Sequence, residues 1–226
     1  MRLEELNWMD VENYLAQDDR IILVLGATEQ HGYLSLLTDV KIPQALADAA
    51  SASTGVLIAP PLNFGVSPYF ATYPGTISLR TSTFLAAVED IVRSLYRVGF
   101  RRMFVMNGHS GNSGVRTTLT ELANDLTDVR FIWYSWWESH SIEAVAMKHE
   151  LKTTHASWME AFPFTRVSEL PSDAKIPPKV TGIPNAEETR TLYGDGMFGG
   201  DYQVSGEIMD EVFAAALGDV LEFIQF

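Results

Sequence analysis

The stretch LVLGATEQHGYLSLLTD, residues Leu23–Asp39, joins the end of an aliphatic run to the approach of a helix-favouring segment. Ile21 to Leu25 is entered from a polar turn, Gln17 to Arg20, and closed by Gly26, the pattern of a short strand buried on both faces. Beyond the loop, Ile42 to Ala50 is rich in alanine; Pro43 suits the first turn of a helix and Ser51 to Gly55 its stop. Strand, loop and helix make a βα unit. The chemistry lies in the loop. Glu29 and His31 are one residue apart, so in extended backbone their side chains point the same way, and Asp39 follows after Gly32. Two carboxylates and an imidazole suit Zn²⁺, Mn²⁺ or Fe²⁺. A polar loop ending in a helix-capping aspartate would be built from the same residues.

Outward from this unit the pattern repeats. Val56 to Ala59 reads as a second strand. The following segment, to Pro74-Gly75, mixes Gly, Pro and Asn with Phe64, Tyr69, Phe70 and Tyr73, too apolar for a plain linker, and is expected to wall a pocket. Thr81 or Ser82 can cap a helix from Thr83 to Val98, whose Leu85, Val88, Ile91, Val92 and Leu95 share one face and which Gly99 stops. Met103 to Met106 is a strand of the fully buried kind, followed by NGHSGNSG (Asn107 to Gly114), a helix from Val115 to Leu126 and a strand from Val129 to Tyr134. Helices are expected over residues 3–15, from Ser141 to Glu150 and from Glu207 to Phe226. This order predicts an α/β fold, a mainly parallel sheet covered by helices on both faces. Ligands of such sheets bind beyond the carboxyl ends of the strands, where the Glu29/His31 loop and the His109 loop both emerge. His109 lies between Gly108 and Gly111, so its backbone can turn tightly into a cleft. A structural, hydrogen-bonded histidine would fit that turn as well.

Composition narrows the function. At 226 residues and 46% hydrophobic content, the chain is expected to form a single domain, residues 1–226, with a substantial core. With no cysteine there is no disulfide framework, thiolate metal site or cysteine nucleophile, and a reducing, cytoplasmic setting is expected. The N-terminus lacks a basic start with a long apolar run, and nowhere do ~18 apolar residues stand together, so no membrane partner is expected. A formal charge of −13 opposes nucleic acid and anionic lipid.

Six pieces in order, ATEQHG (Ala27 to Gly32), TD (Thr38-Asp39), PPLNFGVS (Pro60 to Ser67), YPGTISL (Tyr73 to Leu79), NGHSGN (Asn107 to Asn112) and HASWME (His155 to Glu160), resemble the creatininase (creatinine amidohydrolase) family. The resemblance implies a three-layer α/β/α sandwich with a two-metal centre that hydrolyses non-peptide C–N bonds of a small molecule, often in a hexamer. Carried over by position, it implies one divalent metal on Glu29, Asp39 and His109 and a second on His31 and the shared Asp39. It places His155 as a catalytic histidine and Ser67 at the substrate. The nucleophile would be a metal-activated hydroxide, with His155 or Glu160 passing the proton to the departing nitrogen.

The chain also departs from that family. The usual EQHGPHLPLGTD is here EQHGYLSLLTD, one residue shorter and without its second histidine. Creatinine-cleaving members carry a glutamate where this chain has Gly111, and the usual HAGExET is HASWMEA. These changes are expected to bring Tyr33 and Leu34 toward the metals and to put Trp158 at the substrate. Either Trp136 or Trp137 is a further candidate for the pocket. Three activities are compatible: amidohydrolysis of a cyclic amide, deformylation of an N-formylamino heterocycle, and an inactive subunit binding metal or a small molecule.

Overall fold

A computed structural model describes residues 1–226. Four strands, β1 (Arg20–Leu25), β2 (Leu57–Ile58), β3 (Arg102–Asn107) and β4 (Arg130–Ser135), form one parallel sheet in the order β2-β1-β3-β4. Seven α-helices surround it: α1 (Trp8–Leu15), α2 (Thr38–Thr54), α3 (Thr81–Val98), α4 (Val115–Asp125), α5 (His140–Lys148), α6 (Ala186–Tyr193) and α7 (Gly206–Phe223). Alternate residues of each strand face opposite layers. Ile22, Val24, Phe104 and Met106 pack with Leu46 of α2, Val145 of α5 and Val212 and Val220 of α7. Ile21, Leu23, Met103 and Val105 pack with Phe84 and Val88 of α3 and Leu119 of α4. The result is the expected α/β/α sandwich. No helix is long and apolar enough to cross a membrane.

Register places the two loops side by side. Leu25 at the end of β1 is paired with Asn107 at the end of β3, so the chain leaves both strands at neighbouring points of one sheet edge. Asn112 ties the two exits together: its Nδ2 donates to Gly26 O at 3.1 Å, and its Oδ1 accepts from Val66 N at 3.3 Å.

Helix α2 starts at Thr38, four residues before the expected Ile42, so Asp39 lies in its first turn, where a carboxylate meets the positive end of the helix dipole. Pro43 is therefore inside the helix. It has no N–H for the carbonyl four residues earlier, which is that of Asp39. That carbonyl lies instead against two glycines. A Cβ on Gly108 would fall 1.8 Å from Asp39 O and one on Gly26 2.8 Å from it, so only glycine lets α2 settle onto the ends of β1 and β3. Helix α6 is announced by a capping box: Asn185 caps Glu188 N, and the Glu188 side chain returns to Asn185 N.

Gly108→Ala is accordingly expected to destabilise the protein by about 1–3 kcal/mol, the cost of overpacking. Gly218→Ala, where the new methyl meets nothing within 4 Å in the middle of α7, is expected to stabilise by about 0.5–1 kcal/mol. Urea titrations of the two variants against wild type check both signs.

Candidate metal centre

Five side chains from four places in the chain converge beyond the sheet edge. Glu29 and His31 come from the loop after β1, Asp39 from the first turn of α2, His109 from the loop after β3, and Glu160 from a 3₁₀ turn, Trp158–Glu160. All five are buried. His31 Nε2 stands 2.9 Å from Asp39 Oδ1 and 3.8 Å from Glu160 Oε1; His109 Nδ1 stands 2.9 Å from Asp39 Oδ2 and 3.3 Å from Glu29 Oε1. The donor atoms fall into overlapping groups, Glu29/Asp39/His109 and His31/Asp39/Glu160, each spanning no more than 4.8 Å. Asp39 belongs to both. A third group, Glu29/His31/His155, has the same compactness.

The ring nitrogens facing away from the cluster fix the tautomers. His31 Nδ1 lies 3.2 Å from Glu29 O and His109 Nε2 2.8 Å from Val66 O. A carbonyl only accepts, so these nitrogens donate, leaving the lone pairs of His31 Nε2 and His109 Nδ1 turned toward the carboxylates. Glu29 Oε2, His31 Nε2 and Asp39 Oδ2 have no hydrogen-bond partner despite their burial; the contacts to Asp39 are short but not aligned as hydrogen bonds. Convergent, unpaired oxygen and imidazole donors are what a divalent cation requires. The residues present fit such an ion.

The protein groups taken alone show how strongly these charges interact. Burial opposes charge on His31, but Asp39, with Glu160 and Glu29 beyond it, pushes its pKa up to about 10. His109 is likewise raised well above its ordinary value, burial being outweighed by Glu29 and Asp39. Burial would raise Asp39, yet His31 and His109 hold it far below the usual carboxylate range. Glu160 goes the other way, lifted to about 7 by burial with only partial relief from His31. His155 is pushed well below an ordinary histidine, first by burial and then by the charge of His31.

His155 stands at the edge of this cluster. Its Nδ1 is 3.8 Å from Glu29 Oε1, and its ring lies between His31 (centroids 4.4 Å) and Phe70, on which it stacks at 4.6 Å. Gln30, not singled out by the sequence, orients it: His155 Nε2 is 3.1 Å from Gln30 O and 3.0 Å from Gln30 Nε2. The Gln30 amide also donates to Gly196 O and accepts from Gly32 N, which settles which end of it is nitrogen. Ala156 holds a left-handed backbone (φ 57°), and its N–H donates to Glu160, so the strained turn aims His155 and Glu160 at one point.

Two expected site residues do not reach the site. Trp158 is completely buried in the core, its Nε1 donating to Lys152 O at 2.9 Å. With three residues per turn, the 3₁₀ segment that directs Glu160 inward must direct Trp158 elsewhere. Tyr33 packs edge-on against Tyr202 at 5.6 Å, because Gly32, at φ 55°, turns the chain away from the cluster. Leu34 is buried beside Arg166 in the same excursion. Ser67 is buried on the wall of a cavity that opens onto the cluster, with Oγ 3.3 Å from His109 Nε2. Trp137 lines a second cavity, and Trp136 is core. Phe70, Tyr193 and Phe198, which also line the first cavity, come from segments with no motif beyond their aromatic content.

A family model described as creatinine amidohydrolase matches residues 4–224. The chain is 33% identical over 147 residues to a creatinine amidohydrolase of Pseudomonas putida, covering 59% of this chain and 56% of that protein. It is 35% identical over 99 residues to a mycofactocin precursor peptide peptidase of Mycolicibacterium smegmatis, 41% of this chain and 40% of that one. The chain thus spans about half, or less, of the length of these curated relatives. A solved structure named "Creatininase Mn" superposes with a TM-score of 0.80 at 24% identity, covering 99% of this chain and 97% of that one, a likeness of fold.

Histidine ligands must be neutral, whereas the neighbouring carboxylates favour protonation of His31 and His109 when no metal is present, so metal uptake should expel protons. Calorimetric Zn²⁺ titration at pH 7 in buffers of differing ionisation enthalpy is expected to report net proton release. Affinity should weaken as pH falls, since protons compete for the same lone pairs. Release of none would contradict both histidines as ligands.

Proposed function

The chain belongs to the creatininase family, and from that premise and the geometry of its buried cluster we propose a metal-dependent hydrolase acting on a non-peptide C–N bond of a small molecule, in one domain spanning residues 1–226. The observation that carries this reading is the pair of overlapping donor groups joined by Asp39, with unpaired atoms turned inward. Glu29, Asp39 and His109 would hold one divalent ion; His31, Asp39 and Glu160 would hold a second. Glu160 would thereby be the third donor beside His31 and Asp39. Zn²⁺, Mn²⁺ and Fe²⁺ all suit this set of oxygen and imidazole donors. We further propose a homo-oligomer, a hexamer by family resemblance.

Bound there, the ions supply Lewis-acid polarisation of a carbonyl and an acidified attacking water. The protein's own groups do the rest. Asp39 fixes the spacing of the two groups from a helix turn that Gly26 and Gly108 allow to come close. Val66 O and Glu29 O hold His109 and His31 in the ligating tautomers. His155, oriented by Gln30 and stacked on Phe70, is placed beside the cluster to carry a proton to the departing nitrogen; burial keeps its imidazole neutral and able to accept one first. The cyclic-amide and formamide readings share this machinery. Absence of an acid at Gly111 favours the second: a Cβ there would lie 1.9 Å from Val66 O, so no carboxylate can project from this position.

Two variants test the assignment. Asp39→Ala should lose both ions by elemental analysis after reconstitution, because both donor groups use it; full loading would refute the site. His155→Ala should keep its metal and lose turnover by ~10²–10⁴, the usual worth of a positioned acid–base group. Loss of metal from that variant would instead make His155 a ligand, as the Glu29/His31/His155 group allows.

A further inference from the structure

Strand β4 is the last of the sheet and is paired on one side only, with β3. Its free edge can be read residue by residue. Arg130 N donates to Arg101 O, which turns Arg130 toward β3; because successive residues of a strand alternate, Phe131, Trp133 and Ser135 turn outward. No other strand takes the N–H and C=O groups of Phe131 and Trp133. Strands β1 and β3 are buried throughout after their first residue, whereas Phe131, Ile132 and Trp133 of β4 are only half-buried. The edge lacks the usual protections. From Phe131 to Ser135 it holds no lysine, proline, glycine or acid, only aromatic, β-branched and hydroxyl residues. The opposite edge, β2, is two residues long, and Met1 O already accepts from Ile58 N there.

The two ends of β4 carry opposite charge. Arg130, at the start, is exposed and its guanidinium makes no ion pair. At the far end, a cleft of about 430 Å³ opens beside Ser135, lined by Glu138, Asp219, Glu222 and the rings of Trp133 and Phe223, with Arg116 reaching it from α4. Hydroxyls of Tyr134 and Ser141 donate to Asp219 at 3.0 and 2.6 Å, while Glu138 and Glu222 are exposed.

We propose that β4 is a dimerisation edge, pairing antiparallel with β4 of a second copy of this chain about a two-fold axis at Trp133. A two-fold through an antiparallel pair sets one residue against itself. Trp133 is the midpoint of the outward residues, so an axis there uses all three: Trp133 meets the partner's Trp133, and Phe131 meets the partner's Ser135. Arg130 then comes beside the partner's Trp136. The axis keeps each face of the sheet on its own side, and Arg130 shares the face of Ile132 and Tyr134, which α5 and α7 cover. That is the face on which Glu222 of α7 stands at the mouth of the acidic cleft. Each copy thus gives its unpaired guanidinium to the acidic end of the other, and the contact is made twice. This interface deepens the homo-oligomer reading and does not rest on the hydrolase reading.

The test uses the full-length protein. Sedimentation velocity is expected to find a dimer or an assembly of dimers, and residue-resolved hydrogen exchange to find the Phe131 and Trp133 amides protected in it. Arg130→Glu should raise the dimer Kd about tenfold or more and expose those two amides, while Ile132 and Tyr134, bonded to β3, stay protected. Adding Glu138→Lys and Glu222→Lys to that variant should restore the dimer, which a chain that had merely failed to fold could not do. A monomeric wild type would overturn both this interface and the homo-oligomer reading. An oligomer whose Phe131 and Trp133 amides exchange freely, one that Arg130→Glu leaves intact, or a charge swap that restores nothing would overturn the interface alone.

Discussion

Three carboxylates and two imidazoles are buried within a few ångströms of one another, and the rest of the fold is arranged to bear that. Burial alone would protonate the acids and discharge the histidines. Instead, Asp39 is held ionised between His31 and His109 while Glu160, farther from the positive charge, is lifted toward neutrality. The groups divide charge among themselves as a set with no member that can be removed quietly. Replacing one leaves the others as uncompensated buried charge, which is far costlier than the loss of a single contact. The surrounding backbone reflects this. Carbonyls of Val66 and Glu29 anchor the histidines, Asn107 and Asn112 brace the loop around His109, and glycines stand where α2 must touch the strand ends.

Such a cluster is legible in sequence where its members sit in short motifs leaving strands, and much less so where packing decides. Glu29, His31 and His109 could be read directly, because βα units in a parallel sheet deliver their loops to one edge. Asp39 was readable as a donor but not as a helical residue. The start of α2 depends on Asp39 O fitting against Gly108, a contact across about seventy residues of sequence. Trp158 and Tyr33 mislead for a related reason. Their proximity to His155 and His31 in the chain says nothing about direction, and a 3₁₀ turn and a left-handed glycine rotate them out of the site. Gln30 could have been suspected, lying between two donors, yet its partner Gly196 is unreachable by any local pattern.

Family membership and substrate are separate matters in this chain. The metal-directed residues belong to the sheet edge and its loops, while the cavity walls come from Pro68–Phe70 and from the segment after residue 180. Relatives matched over 56% and 40% of their own length include a protein named for creatinine and one named for a peptide. Here the position that could carry an acid is closed by backbone: beyond the Val66 carbonyl, a Gly111 Cβ would also lie 2.5 Å from His109 Nε2, displacing a candidate ligand. Acid at that point and the present His109 geometry exclude one another.

The aromatic wall of the first cavity must itself be kept rigid, since a ring that swings freely discriminates little. The tie is a half-buried cation. Lys175 Nζ donates to the carbonyls of Tyr193 and Met197 and pairs with Asp195, pinning both ends of the turn that carries Phe198. Lys175 also exchanges backbone hydrogen bonds with Gly200, and Pro177 lies so close to Gly199 that a Cβ there would meet it at 2.6 Å. Gln30 grips the same turn from the metal side through Gly196, whose own Cβ would fall 1.6 Å from the Gln30 side chain. One amide therefore connects the loop that supplies Glu29 and His31, the imidazole of His155 and the turn that presents Phe198. A shift in the loop that supplies Glu29 and His31 would be passed to the aromatic wall through this hydrogen bond and the close packing around it, which makes the placement of the wall and the placement of the cluster one mechanical problem.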